Sequence, residues 1–406
     1  QALRRLITGI DGLDALLRGG LVAGASYIVQ GPPGAGKTIL ANQLAHNHVR
    51  DGGRVLVATL LSESHERLFQ YLSTLAFFDQ GLIGDQIQFV SAFDTLEQEG
   101  LEAVVRLLRQ EITRQKASLL IVDGVLNARA RAHTTLDTKK FVSELQGHAA
   151  FAGCTVLLLT SARLEEGSPE HTMVDGVIEL GEQLLGSRAV RHVQLRKTRG
   201  SGALSGRHEC LIDEAGMHVF PRLEALFSHP SQVAGGNVGR VTSGVPTFDE
   251  MLGGGLANGS VSLLIGPSGI GKSSLCLAFL GASTAQAPGL HFGFYETPER
   301  LRSKAASLGY DFAAMEQSGS LQLCWQPTTE GLLDQVGARL LERVAAVGSK
   351  RVVIDSLGAF SRLATDPARL NAFFRALTGE LCARGVSVML TWEMRDIFGA
   401  EISAPA

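Results

Sequence analysis

Gly31-Pro32-Pro33-Gly34-Ala35-Gly36-Lys37-Thr38 and Gly266-Pro267-Ser268-Gly269-Ile270-Gly271-Lys272-Ser273 are two copies of the pattern G-x-x-x-x-G-K-[ST] in one chain. Each follows a short apolar run and opens a helical segment, the context in which such a loop wraps a phosphate. The glycines let successive backbone N–H groups curl around phosphate oxygens, and the helix N-terminus adds partial positive charge. Lys37 and Lys272 are expected to reach the β- and γ-phosphates, and the Thr38 and Ser273 hydroxyls to face Mg2+. The expected cofactors are therefore ATP and Mg2+. The binding set reads as Gly34, Ala35, Gly36, Lys37, Thr38 and Ile39 in the first loop. In the second it reads as Gly269, Ile270, Gly271, Lys272, Ser273 and Ser274.

The loops belong to a longer repeat. Thr8-Gly9-Ile10-Asp11-Gly12-Leu13-Asp14 matches Ser243-Gly244-Val245-Pro246-Thr247-Phe248-Asp249. Gly9 and Gly244 are 235 residues apart, as are Lys37 and Lys272; Glu63 and Glu296 are 233 apart, and Asp123 and Asp355 are 232 apart. One period with two copies means two domains rather than a solenoid. The Pro-, Gly-, Ser- and Asn-rich stretch 227–237 reads as a linker. The expected boundaries are 1–228 for the first domain, 229–240 for the linker and 241–406 for the second domain. Apolar runs at 26–30, 54–60, 119–122 and 155–160 alternate with longer helical segments. The fold class is thus α/β, two tandem domains, each a mostly parallel sheet flanked by helices.

Composition narrows the function. The chain has 406 residues, 45% hydrophobic and 19% charged, with a formal net charge of −3. That is the balance of a globular protein, without the basic surplus of a dedicated nucleic-acid binder. Nucleic acid is not an expected partner, although Arg188, Arg191, Arg196, Lys197, Arg199 and Arg207 form a local basic stretch. The five cysteines show no C-x-x-C pair, which suits a reducing cytoplasm. No apolar run approaches the ~18 residues of a membrane span, so no membrane partner is expected.

Two acids per copy complete the candidate chemistry. Asp123 and Asp355 each end an apolar strand and are expected to hold Mg2+ opposite the phosphate loop. Glu63 and Glu296 lie just past the strands at 54–61 and 291–294. Ligands of an open parallel sheet bind at the carboxyl ends of its strands, where a carboxylate can polarise an attacking water.

Residues 9–21, the loop 31–38, Ser62-Glu63-Ser64 and the stretch 195–217 together resemble the KaiC family of RecA-like ATPases. In that last stretch Leu195-Arg196-Lys197-Thr198-Arg199-Gly200-Ser201 is followed by Gly206-Arg207-His208-Glu209 and Ile212-Asp213-Glu214-Ala215-Gly216-Met217. The resemblance covers nearly the whole chain in the same two-domain order. It implies ATP hydrolysis, autokinase activity and a nucleotide-driven switch of the circadian-clock kind. It also implies a homo-oligomer, a hexameric double ring with ATP bound between subunits. Lys197 and Arg199 match a pair that enters the neighbouring subunit's site, in trans, as a clamp on the γ-phosphate. Further nucleotide contacts are implied at Ser201, Asp213 and Glu214, and near the base at Thr74.

The departures matter for rate. The family places two adjacent glutamates at the strand end; here Ser62 and Tyr295 replace the first of each pair. Hydrolysis is therefore expected to be slow. Ala203 stands where the family has a histidine after the Lys–Arg loop, and the second copy is expected to be shortened at its C-terminus. Two other functions fit the same motifs: a RecA/RadA-like DNA-dependent ATPase, and a nucleotide-sensing scaffold that does not hydrolyse. The sequence names no regulatory protein partner.

Overall fold

Five apolar runs of the first copy become parallel strands: β1 (Ser26–Gln30), β2 (Val55–Thr59), β3 (Ile87–Ser91), β4 (Leu119–Asp123) and β5 (Thr155–Thr160). β1, β2 and β5 are buried at every position. Such continuous apolar strands are what a sheet covered on both faces requires. The computed structural model describes residues 3–62, 64–124, 135–161, 168–200, 202–232, 239–327 and 331–394. It divides into two units, Gln1–Pro221 and Arg222–Ala406.

In the first unit, helices α1 (Lys37–Arg50), α2 (His65–Leu72), α3 (Leu101–Gln115) and α4 (Thr135–Phe151) connect the strands. Val104, Val105, Leu108 and Ile112 form one apolar stripe of α3. That stripe packs with Phe141, Val142 and Leu145 of α4 over Leu56, Ala58, Leu120 and Val122. After the short helix α5 (Pro169–Met173), β6 (Gly176–Leu185) joins β1 in parallel. β7 (Arg188–Thr198), β8 (Arg207–Asp213) and β9 (Gly216–Phe220) then continue the sheet antiparallel. The order is β9-β8-β7-β6-β1-β5-β4-β2-β3.

The second unit opens with α6 (Leu223–Leu226), and its strands are β10 (Val261–Gly266), β11 (Gly289–Gly293), β12 (Leu321–Trp325), β13 (Arg351–Asp355) and β14 (Ser387–Glu393). Their order, β10-β14-β13-β11-β12, repeats β1-β5-β4-β2-β3, so the duplication is visible in topology as well as in sequence. β10 differs from β1 in leaving Val261, Leu263 and Ile265 partly exposed. The strand edges differ too: β6 covers the outer edge of β1, and among the described residues no strand pairs with that edge of β10. The longer helices of this unit are α7 (Lys272–Gly281), α8 (Pro298–Ser307), α9 (Leu333–Val347) and α10 (Leu370–Ala383).

Residues 222–228, read from sequence as the end of the first domain, lie in the second unit. Two charged contacts fix this segment there. Arg369 donates to Glu224 at 2.7 and 2.9 Å and to both oxygens of Asp334 at 3.0 Å, while Leu223 N donates to Asp334 Oδ1 at 3.1 Å. Asp334 is fully buried, and burial pushes its carboxyl up to about 6. Further along, Ser231 N donates to Glu380 Oε2 at 2.7 Å. None of these pairings is periodic in sequence, so a composition-based boundary could not find them.

Candidate functional site

The first phosphate loop joins β1 to α1. Gly34 and Gly36 take left-handed conformations, with φ of 80° and 100°. At Gly36 a side chain is excluded twice: by that φ, and because a Cβ would lie 2.6 Å from Ile212 Cδ1 and 2.9 Å from Met217 Cε. The β8–β9 hairpin therefore lies directly against the loop. Gln43 of α1 pins it, accepting from Met217 N at 2.8 Å and donating to Met217 O at 3.3 Å. Lys37 Nζ donates to Gly31 O at 2.8 Å and Pro32 O at 3.0 Å, so the ammonium is held at the mouth of its own loop. Burial lowers its pKa, against the pull of Asp123.

Asp123 ends β4 in register with Thr59 of β2, at the carboxyl edge of the sheet. Thr59 Oγ1 lies 2.8 Å from Nε2 of His65, the first residue of α2. Burial keeps that imidazole below its ordinary pKa. Glu63 and Ser201 lie outside the described residues. β2 itself ends at Thr59, shorter than the run 54–61 read from sequence.

Thr74 and the hairpin tip are brought together. Ala76 N donates to Glu214 O at 2.7 Å, and Thr74 Oγ1 donates to Tyr71 O at 2.8 Å within the same turn. Asp213 Oδ1 accepts from Ala215 N at 2.8 Å and lies 3.1 Å from His218 Nε2. Although its burial works the other way, these two partners hold the Asp213 carboxyl below its usual range.

Lys197 and Arg199 sit elsewhere. Thr198 pairs with Gly176 at the start of β6, and Gly176 pairs with Tyr27 near the start of β1, whereas the loop begins after the end of β1. The pair is thus at the opposite edge of the sheet from its own phosphate loop. Lys197 Nζ donates to His171 O at 2.8 Å and Thr172 O at 3.0 Å, and Arg199 Nη2 donates to Thr172 O at 3.1 Å. Arg199 also lies 4.0 Å from Asp175, an acidic neighbour that the sequence alone does not reveal. The rest of the basic stretch is partly compensated. Arg196 pairs with Glu179 at 3.2 Å, and Arg191 lies 3.5 Å from Glu182.

Arg191 was not among the expected site residues, yet its Nη1 donates to Gly34 O at 2.8 Å and braces the crown of the loop. The only sequence signal was its place in the basic stretch.

The second copy repeats the loop geometry. Gly269 and Gly271 have φ of 81° and 102°, and Lys272 Nζ donates to Gly266 O and Pro267 O, both at 2.7 Å. Asp355 ends β13 and accepts from Thr391 Oγ1 at 2.6 Å. A cavity of about 510 Å³ gathers Lys272, Ser273, His291, Glu296, Lys304 and Asp355. His291 is fully buried; burial lowers its pKa, against the pull of Asp355 and Glu296. The crown residue Ile270 is 64% exposed, whereas its counterpart Ala35 is buried.

The residues fit a magnesium nucleotide. Left-handed glycines, a lysine at the loop mouth, and a hydroxyl–carboxylate pair (Thr38 with Asp123, Ser273 with Asp355) recur at both strand ends. Two protein oxygens suit an ion that keeps its remaining coordination for water and phosphate.

Each unit is thus a P-loop ATPase domain of the RecA-like kind, and the chain contains two in tandem. The sequence model of the KaiC ATPase family matches residues 6–224 and again 241–404, and the chain belongs to that family. It is 28% identical over 394 residues to the circadian clock oscillator protein KaiC of Rippkaea orientalis, covering 93% of this chain and 74% of that protein. It is also 28% identical over 394 residues to circadian clock oscillator protein KaiC 1 of Synechocystis sp., with the same coverage. With KaiC of Thermosynechococcus vestitus it shares 29% over 375 residues, 89% of this chain and 71% of the relative. Among the described residues no helix is long and apolar enough to cross a membrane.

Proposed function

We propose that this KaiC-family ATPase binds Mg·ATP in both copies and hydrolyses it slowly, mainly in the first. It does so as an ATP-dependent homo-oligomeric ring, a hexamer, in which Lys197 and Arg199 of one subunit serve the first-copy nucleotide of the next. The observation that supports this is the register of β7. Thr198, between Lys197 and Arg199, is level with Tyr27 through the intervening strand β6, and their own loop begins four residues further along β1. At ~3.3 Å per residue that is about 13 Å away, which supports a role at another subunit's phosphate rather than at that of its own loop.

Within a site, the loop amides and Lys37 or Lys272 bind the phosphates. Thr38 with Asp123, and Ser273 with Asp355, would hold Mg2+, which when bound neutralises phosphate charge. Glu63 and Glu296 would take the proton of the attacking water. Glu296 is occupied by Lys304 Nζ at 2.5 Å, which weakens it as a base and favours the first copy as the working site.

Self-phosphorylation needs an acceptor hydroxyl. Beyond the loop serines, the second cavity offers Ser356 and Thr391, and Thr391 already donates to Asp355. Hydrolysis is therefore the reading we favour over autokinase activity. The clock names belong to the relatives; for this chain the proposal is a slow nucleotide-driven switch in the cytoplasm. Ligand bound at a subunit interface stabilises assembly by mass action. Light scattering of the full chain at micromolar concentration should show a monomer-to-ring shift on adding saturating Mg·ATP. A persistent monomer in ATP would refute it.

A further inference from the structure

Lys304 stands on α8, and its ammonium donates to Glu296 Oε1 at 2.5 Å at the edge of the second cavity. Glu296 Oε2 is buried with no hydrogen-bond partner. Among the described residues, the acids lining this cavity are Asp355, Glu296 and Glu393, and the lysines are Lys272 and Lys304. Lys272 is committed to the carbonyls of its own loop, so Lys304 is the cation that offsets Glu296.

The first copy carries a different residue at the position of Lys304. Glu66-Arg67-Leu68 and Glu299-Arg300-Leu301 align at the same 233-residue offset that relates Glu63 to Glu296, and at that offset Tyr71 corresponds to Lys304. Tyr71 is an exposed ring with the Arg67 guanidinium 5.9 Å from its centroid. The same offset puts Tyr295 against Ser62. Tyr295 is half exposed, with Arg362 5.6 Å from its ring centroid, and it supplies no carboxylate to the cavity. Lys304 thus has no lysine counterpart at the aligned position of the first copy.

We propose that Lys304 makes the second cavity selective for a nucleoside triphosphate over a diphosphate, by neutralising the Glu296 carboxylate that would otherwise repel the γ-phosphate. The proposal rests on the reading that this cavity takes a nucleotide. Glu296 follows β11, which pairs with β13 so that Gly293 lies in register with Asp355. That is the carboxyl edge of the sheet, where the terminal phosphate of a loop-bound nucleotide lies. An uncompensated carboxylate there opposes a γ-phosphate and leaves a diphosphate, which lacks the group, nearly unaffected. Like charges a few ångströms apart near a protein surface alter affinity by about tenfold or more.

The test is calorimetric titration of Mg·ATPγS and Mg·ADP into the full chain carrying Lys37→Ala, so that binding reports the second cavity. Lys304→Met should weaken ATPγS about tenfold and ADP by no more than about twofold. Lys304→Arg, which keeps the charge, should preserve the ratio. Adding Glu296→Gln to Lys304→Met should return ATPγS affinity to within about threefold of the parent, because the carboxylate to be neutralised is gone. Equal losses for the two nucleotides, no loss for ATPγS, or a double variant as weak as Lys304→Met would each overturn the proposal. If the Lys37→Ala chain binds neither nucleotide, the underlying reading of the cavity fails, and the proposal with it.

Discussion

Mixing two inactive variants should restore activity if the Lys197/Arg199 pair acts between subunits. Arg199→Ala removes the guanidinium at the far edge of β7 and leaves the phosphate loop of its own chain intact. Lys37→Ala does the reverse. An arginine acting on the γ-phosphate contributes about 10³–10⁵ in rate, so Arg199→Ala should lose at least about a thousandfold of first-copy turnover, and Lys37→Ala, which loses the phosphate-binding charge of its loop, should be inactive there as well. Strand register sets the expectation for the mixture. If Arg199, level with Ser26 and so about 16 Å along the strands from its own loop, acts in trans, a working site needs an intact loop from one chain and an intact Arg199 from the next. In an equimolar, randomly exchanged ring, half of the loops are intact and half of those have an intact neighbour. The recovered rate should then be about one quarter of the parent's. Lys272→Ala in all chains silences the second copy, and ATP is removed and restored to permit exchange before phosphate release is measured. A mixture no faster than the mean of its components would refute the trans assignment.

Removing Arg369 should destabilise the second unit sharply. Arg369→Ala strips four hydrogen bonds from Glu224 and the fully buried Asp334, and leaves a buried carboxylate without its cation. The expected loss is about 3–5 kcal/mol in urea unfolding, and a loss under about 1 kcal/mol would contradict it. In single-turnover assays Glu63→Gln should abolish most phosphate release while Glu296→Gln changes little, because Glu296 is tied to Lys304; the reverse ranking would place the working site in the second copy. His291 has a folded pKa below its ordinary 6.5, so the unfolded chain binds the extra proton as pH falls. Its contribution to stability is present above about pH 6.5 and is lost as pH falls through the folded value. His291→Gln should flatten the acid limb of stability between pH 7.5 and 5, and an unchanged slope would refute the assignment.

The parts legible in the sequence are those with a local cause. Both phosphate loops, both strand-end aspartates and the duplication follow from short motifs and their common spacing, and the sheet order repeats them. The parts that were not legible depend on contacts between distant segments. Glu224, Asp334 and Arg369 meet only because α6 lies between α9 and α10, a set of contacts that linker composition near residue 230 does not reveal. Arg191 looked like one of several basic residues, and only the pairing of β6 with β7 shows it bracing Gly34. Lys304 lies eight residues beyond Glu296, two helical turns into α8. The repeated Glu-Arg-Leu was its one trace in sequence, and it required aligning the copies with each other.

The most direct test of the central claim is a count of nucleotides per chain. Equilibrium dialysis with Mg·ATPγS should give two sites in the parent, one in Lys37→Ala and one in Lys272→Ala, since each change deletes the phosphate-binding charge of one loop. Two sites remaining in either variant would contradict the assignment of these two loops as the nucleotide sites.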